Sequence, residues 1–199
     1  MIMSISENVP GSIQHVDLSR QLLLAMPGRV SGSLAHSVIY LCEHTEHGAL
    51  GLVINRPTDL TVGGLLKRIQ LDPILDLGPV QDTPVVFGGP VQTDRGFVLH
   101  APLGEYASSV RIGDIALTTS RDILQDVAQG RGPEQILVTL GYAGWGAGQL
   151  ESELAQNAWL NVQATSALLF QTPFENRYEA ALSQLGIDSS MLASDIGHA

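Results

Sequence analysis

The sequence holds one cysteine, Cys42, and one lysine, Lys67, among its 199 residues. A lone thiol excludes an internal disulfide framework and suits a reducing compartment. Basic side chains number ten against twenty acidic ones, for a formal net charge of −10, and Lys67-Arg68 is the only adjacent basic pair. Non-specific nucleic-acid affinity comes from clustered Lys and Arg neutralising phosphates, so direct DNA binding is disfavoured. No stretch approaches the roughly 18 uninterrupted apolar residues of a membrane-spanning helix. The N-terminus carries Glu7 and Asp17 rather than a basic cluster before an apolar run, so no signal peptide is read there. A cytoplasmic globular protein is the expectation.

What is present supports one well-packed core. Hydrophobic residues make up 44% and charged residues 15%, which excludes disorder as the main state. Residues 1–20 are polar and read as a flexible arm, with a single domain over 21–199. Leu22–Met26, Ser37–Cys42 and Ala49–Ile54 are short apolar runs bounded by turn residues, the pattern of buried strands. The last two read as a hairpin across a polar turn at Glu43–Gly48. Thr61 caps a short helix through Ile69. Pro84–Phe87, Gly96–His100 and Val110–Thr118 form a second β block. A helix follows from Thr119 or Ser120, with Ile123, Leu124 and Val127 on one face and Gly130 at its end. Gln135–Leu140 is strand-like, Gly141–Gly148 reads as a glycine-rich turn, and Gln149–Gln156 as a helix. A strand is expected around Trp159–Gln163. Pro173 opens a last helix with Tyr178, Leu182 and Leu185 inward. Strands in blocks with helices between some of them argue α+β rather than a doubly wound sheet.

Tests for chemistry mostly fail. Gly141–Gln149 sits between a strand and a helix, the setting for phosphate binding, but the dinucleotide fingerprint meets Gln149 where glycine is needed. A phosphate-binding loop meets Ala147 where lysine is needed. Close-packed backbone is the plainer account, while Tyr142 and Trp145 keep a stacking site open. Cys42, His44 and His47 form a Cys-x-His-x-x-His string, and strand alternation puts Cys42 and His44 on one side. The string matches no zinc spacing, so no metal is assigned. Neither a Gly-x-Ser-x-Gly elbow nor a His-Glu-x-x-His motif occurs. Glu151 and Glu153 diverge by about 200° on a helix, so they form no acid–base pair and read as a solvated helix start. Asn55-Arg56-Pro57 closes an apolar strand and suits a carboxylate or phosphate. Gly88-Gly89-Pro90-Val91 with Asp94-Arg95-Gly96 and His100 makes a second such loop. In both, pairing of the arginine with a nearby carboxylate is the structural alternative.

Together these segments resemble the AlgH/YqgE family of bacterial proteins. The resemblance rests on Met26-Pro27-Gly28, Ser37 to His44, Gly51 to Pro57, Gly88 to Val91, Arg95 to His100, Gly141 to Glu151, Asn157-Ala158-Trp159 and the closing Gly197-His198-Ala199. It spans residues 20–199 and departs from the usual opening over 28–34. It implies a single α+β domain with a bifurcated, barrel-like, mainly antiparallel β-sheet flanked by helices. The family carries a label of transcriptional regulator without established catalytic residues, so none transfers here.

Two readings follow. The first is a non-enzymatic regulatory protein binding a partner protein or small ligand, with Asn55, Arg56, Arg95, His100, Tyr142 and Trp145 as candidate binding residues and no cofactor. The second is an enzyme of unrecognised class with a cleft using His100, Arg95 or Cys42. Convergence of Arg56, His100 and Trp145 on one pocket is the geometry both need.

Overall fold

A computed structural model describes residues 15–73 and 76–193. The strands are β1 (Gln21–Ala25), β2 (Val38–Thr45), β3 (Gly48–Val53), β4 (Pro57–Thr61), β5 (Pro84–Phe87), β6 (Val91–Ala101), β7 (Ser109–Ile112), β8 (Ile115–Thr118), β9 (Gln135–Gly146) and β10 (Trp159–Gln163). Between and after them lie α1 (Val62–Arg68), α2 (Asp122–Ala128), α3 (Gln149–Ala155), α4 (Arg177–Ser183) and α5 (Ser189–Ala193). The expected α+β class holds: a curled antiparallel half-barrel sheet flanked by helices. Its main path runs β10-β1-β2-β3-β9-β6-β8-β7. The sheet forks along β9, because Ala143–Gly146 pairs with β3 while Thr139-Leu140 pairs in parallel with β5.

Both faces of this sheet are covered, which is why its strands read as continuous apolar runs rather than alternating ones. Leu22 and Leu24 enter one core with Tyr40, Leu52 and Leu182. Leu23 and Ala25 enter another with Ile39, Trp145, Leu150 and Trp159. A third core lies under α1 and α2, around Leu66, Val85, Ile123 and Val138. Each fully buried leucine contributes about 1.5–3 kcal/mol of transfer free energy. Thr61 caps α1 as the sequence indicated, its Oγ1 accepting from the Gly64 N–H at 3.0 Å.

Several expectations need correction. The stretch 141–148 is mostly strand, since β9 continues through Gly146 and only Ala147-Gly148 turns. Of its glycines, Gly141 serves the fork, facing Gly89 across it. A Cβ on Gly89 would sit 2.0 Å from the Tyr142 carbonyl carbon, and one on Gly141 would sit 2.2 Å from the Gly89 oxygen. The hairpin turn expected at 43–48 shrinks to Glu46-His47, since Thr45 still pairs with Gly48. A bulge between Leu41 and Glu43 also breaks the alternation there. Cys42 therefore joins one core, while His44, opposite Ala49, turns to the other side. Leu185 is exposed, beyond the end of α4. Of the expected arm, residues 1–14 lie outside the described residues, and Leu18 is held by its N–H donating to His44 Nδ1 at 3.1 Å. No helix among the described residues is long and apolar enough to cross a membrane.

Candidate functional site

The two ends of the sheet path meet at a cleft of about 660 Å³. β10 and the start of β1 form one wall, and the β7–β8 turn at Gly113-Asp114 forms the other. The floor is apolar: Tyr40, Ile112, Ile115, Val162 and Leu169. Asn161, Gln163, Thr165 and Ser166 supply uncharged hydrogen-bonding groups, and Asp17, Arg20 and Asp114 bring charge. Arg20 has φ +70, a left-handed conformation held by its N–H donating to the Leu41 carbonyl at 2.8 Å. A Cβ on Gly113 would lie 3.2 Å from Arg20 Cδ, so the two walls approach closely there. Burial pushes the Tyr40 phenol above its usual range, keeping it neutral. The volume falls within the roughly 300–1,000 Å³ typical of ligand sites.

The six residues singled out in the sequence lie elsewhere and do not converge on one pocket, although Tyr142 and Trp145 both border a second cleft, of about 430 Å³, beside Thr45 and His47. Asn55 is a clamp: its Oδ1 accepts from the Val38 N–H and its Nδ2 donates to the His36 carbonyl. Arg56 donates to the carbonyls of Ser33 and Ala35 and lies over the Phe87 ring, so carbonyls rather than a carboxylate satisfy it. Arg95 reaches Gln92 at 3.2 Å and covers Phe97, not a neighbouring acid. Tyr142 packs edge-on against the same Phe97. Trp145 is buried, its ring 5.8 Å from Trp159, and both indole N–H groups donate to Glu153 Oε2. Trp145 is only 6% exposed where it borders that cleft, so little of its ring is open to stacking.

The reactive side chains are also enclosed. His100 is fully buried, with Nδ1 3.1 Å from the Pro102 carbonyl and Nε2 2.7 Å from Thr118 Oγ1. A carbonyl only accepts, so Nδ1 carries the proton and Nε2 accepts from the threonine hydroxyl. Burial lowers the His100 pKa and keeps the ring neutral. Cys42 is buried, and desolvation raises its thiol well above the reactive range. Neither group meets Arg95 in a shared cleft among the described residues.

A family model described as AlgH-like matches residues 22–190. A UPF0301 protein of Bordetella petrii is 67% identical over 183 residues, covering 92% of this chain and 90% of its own. One from Cupriavidus metallidurans is 55% identical over 92% of this chain and 96% of its own. This chain belongs to the AlgH-like family. The solution structure of the AlgH protein from Pseudomonas aeruginosa is 44% identical, with a TM-score of 0.76 over 98% of this chain and 100% of that one. The crystal structure of protein DIP2367 from Corynebacterium diphtheriae, at 17% identity and TM-score 0.65 over 90% of each chain, shares the fold.

Within this AlgH-like fold, one cluster escaped sequence reasoning. His15, His44 and Glu151 bring their ligand atoms within 4.8 Å of one another. His44 is engaged at both nitrogens, Nδ1 by the Leu18 N–H and Nε2 by Glu151 Oε1 at 2.6 Å. Nδ1 accepts, so Nε2 bears the proton and no lone pair is left for a metal. The cluster is a latch joining the chain before β1 to α3, and its hydrogen bonds help hold the Glu151 carboxyl below its usual range against the opposing effect of burial. Glu151 and Glu153 thus both have specific partners instead of forming a merely solvated helix start. The cleft residues were equally hidden. Asn161 donates to Gln21 across 140 positions of sequence, and no local pattern announces such a pairing.

Proposed function

We propose that this chain is a non-enzymatic cytoplasmic binding protein of regulatory role, taking a partner segment or small ligand in the cleft where the two ends of its sheet meet. One observation carries the reading: a cleft of about 660 Å³ sets uncharged hydrogen-bonding groups and a few charged ones, Asp17, Arg20 and Asp114, over an apolar floor. Such a lining can orient a ligand, whereas turnover needs a positioned base or nucleophile. Of the side chains singled out for such chemistry, Cys42 and His100 are buried and do not line it. The net charge of −10 supports a regulatory effect exerted without direct contact to DNA.

A thermal-shift screen of the full chain against cell metabolites and peptides tests this, because a ligand bound only by the folded state raises the melting temperature. Ser166→Trp, at an exposed position on the cleft wall, supplies the control. A compound that stabilises the wild type and not the variant supports the reading. Equal stabilisation of both, no stabilisation by any compound, or consumption of a compound with turnover overturns it.

A further inference from the structure

The ligand class can be read from the backbone at the cleft wall, granting the binding role just given. β10 ends the sheet path, so one side of it has no strand neighbour among the described residues. Its hydrogen-bonding phase is fixed by two contacts: the Met26 N–H donates to the Ala158 carbonyl, and the Ala25 N–H donates away from β10, to Ser37. With Ala25 opposite Trp159 and Leu24 opposite Leu160, the ladder groups alternate. Leu160 and Val162 therefore face β1, while Trp159, Asn161 and Gln163 direct their N–H and C=O groups outward. Asn161 and Gln163 are two of the cleft-lining residues.

Natural sheet edges are commonly guarded by proline, by charge, by a bulge or by very short length. β10 reads Trp-Leu-Asn-Val-Gln over five residues, without a proline, a charge or a register shift against β1. The far wall of the gap is the β7–β8 turn, from the other end of the path. We propose that this seam receives an extended segment of a partner polypeptide, which adds to β10 as a further strand and fills the gap of the half-barrel. Charge selects among segments. Asp17 and Asp114 outnumber Arg20 in the lining, and the Asp114 carboxylate has no hydrogen bond or ion pair among the described residues. An uncharged segment flanked by lysine or arginine fits, and a second copy of this chain, itself carrying −10, does not.

The test uses the full chain labelled with 15N and two capped hexapeptides, Lys-Val-Thr-Val-Thr-Lys and the same peptide with glutamate at both ends, each titrated to about 1 mM. The lysine peptide is expected to shift the amides of Trp159, Asn161 and Gln163 more than those of Leu160 and Val162, and to bind at least about tenfold tighter than the glutamate peptide. Gln163→Pro removes one outward N–H and leaves the β1 ladder bonds in place, so it should weaken binding about tenfold with little change in melting temperature. Absence of binding, shifts away from β10, or binding untouched by Gln163→Pro overturns strand addition. The binding reading separates from it through Ser166→Trp. Peptide or metabolite binding that Ser166→Trp abolishes and Gln163→Pro leaves intact sinks the strand and keeps the cleft. Binding indifferent to both variants sinks the cleft as well.

Discussion

Removing the Glu153 carboxylate should cost far more than an exposed helical glutamate normally would. Its Oε2 accepts the indole N–H of Trp145 at 2.9 Å and of Trp159 at 2.8 Å, and its Oε1 accepts from Gln149 Nε2 at 3.0 Å. Both tryptophans are at least 94% buried, so neither N–H can turn to water. Glu153→Ala strands two buried donors at about 1–3 kcal/mol each, or about 2–6 kcal/mol in all. For a chain of this length each kcal/mol lowers the melting temperature by about 2–4 °C, which predicts a loss of roughly 4–24 °C. Glu153→Gln keeps an oxygen for both indoles but loses the charge assistance and the exposed hydrogen bond from Gln149, since an amide NH2 cannot accept it, about 1–2 kcal/mol in total. The assay is urea unfolding followed by tryptophan emission. The chain has two tryptophans and both lie in this network, so the signal reports it directly. If the alanine variant loses less than about 0.5 kcal/mol, or no more than the glutamine variant, the hydrogen-bond argument is wrong.

Other outcomes follow from the same structure. Gly89→Ala places a methyl 2.0 Å from the Tyr142 backbone, so the fork must open; a loss above about 4 kcal/mol is expected in denaturant melts, and a wild-type midpoint would contradict it. Cys42 should resist thiol reagents at pH 8 in the native state and react once urea unfolds the chain; fast native labelling would refute its burial. His100 has a folded-state pKa below its unfolded value, so the unfolded chain takes up the proton first and stability is lost as pH falls through about 6.5 toward the lower folded value. Stability measured from pH 7.5 to 5 should fall less steeply in His100→Asn; an unchanged slope would assign the titration to another group.

Most elements were legible because their signals are local. Pro27-Gly28 stops β1, the Thr61 hydroxyl starts α1, and Pro133 follows the end of α2, each acting within a few residues. The glycine-rich 141–148 stretch misled for a local reason as well. Glycines read as turn formers, yet here Gly141 lies within β9, where a Cβ would stand 2.2 Å from the Gly89 oxygen. The bulge after Leu41 was silent too, and it separates Cys42 from His44, which strand alternation had placed together. The candidate residues Asn55, Arg56 and Trp145 carry polar groups suited to ligands, but their partners are carbonyls and a carboxylate brought in from other elements.

Periodicity, capping residues and charge count are properties of neighbouring residues or of the whole composition. The sequence therefore determined by itself the α+β class, the order of elements and the acidic character that disfavours nucleic acid. The cleft depends on which strands end the sheet and how far it curls. Only the tertiary structure decided that Arg20 and Gly113 face each other, that β10 turns an uncharged edge toward the gap, and that Trp145 donates inward. Those placements arise from packing two faces of one sheet at once, a condition no short window of residues contains.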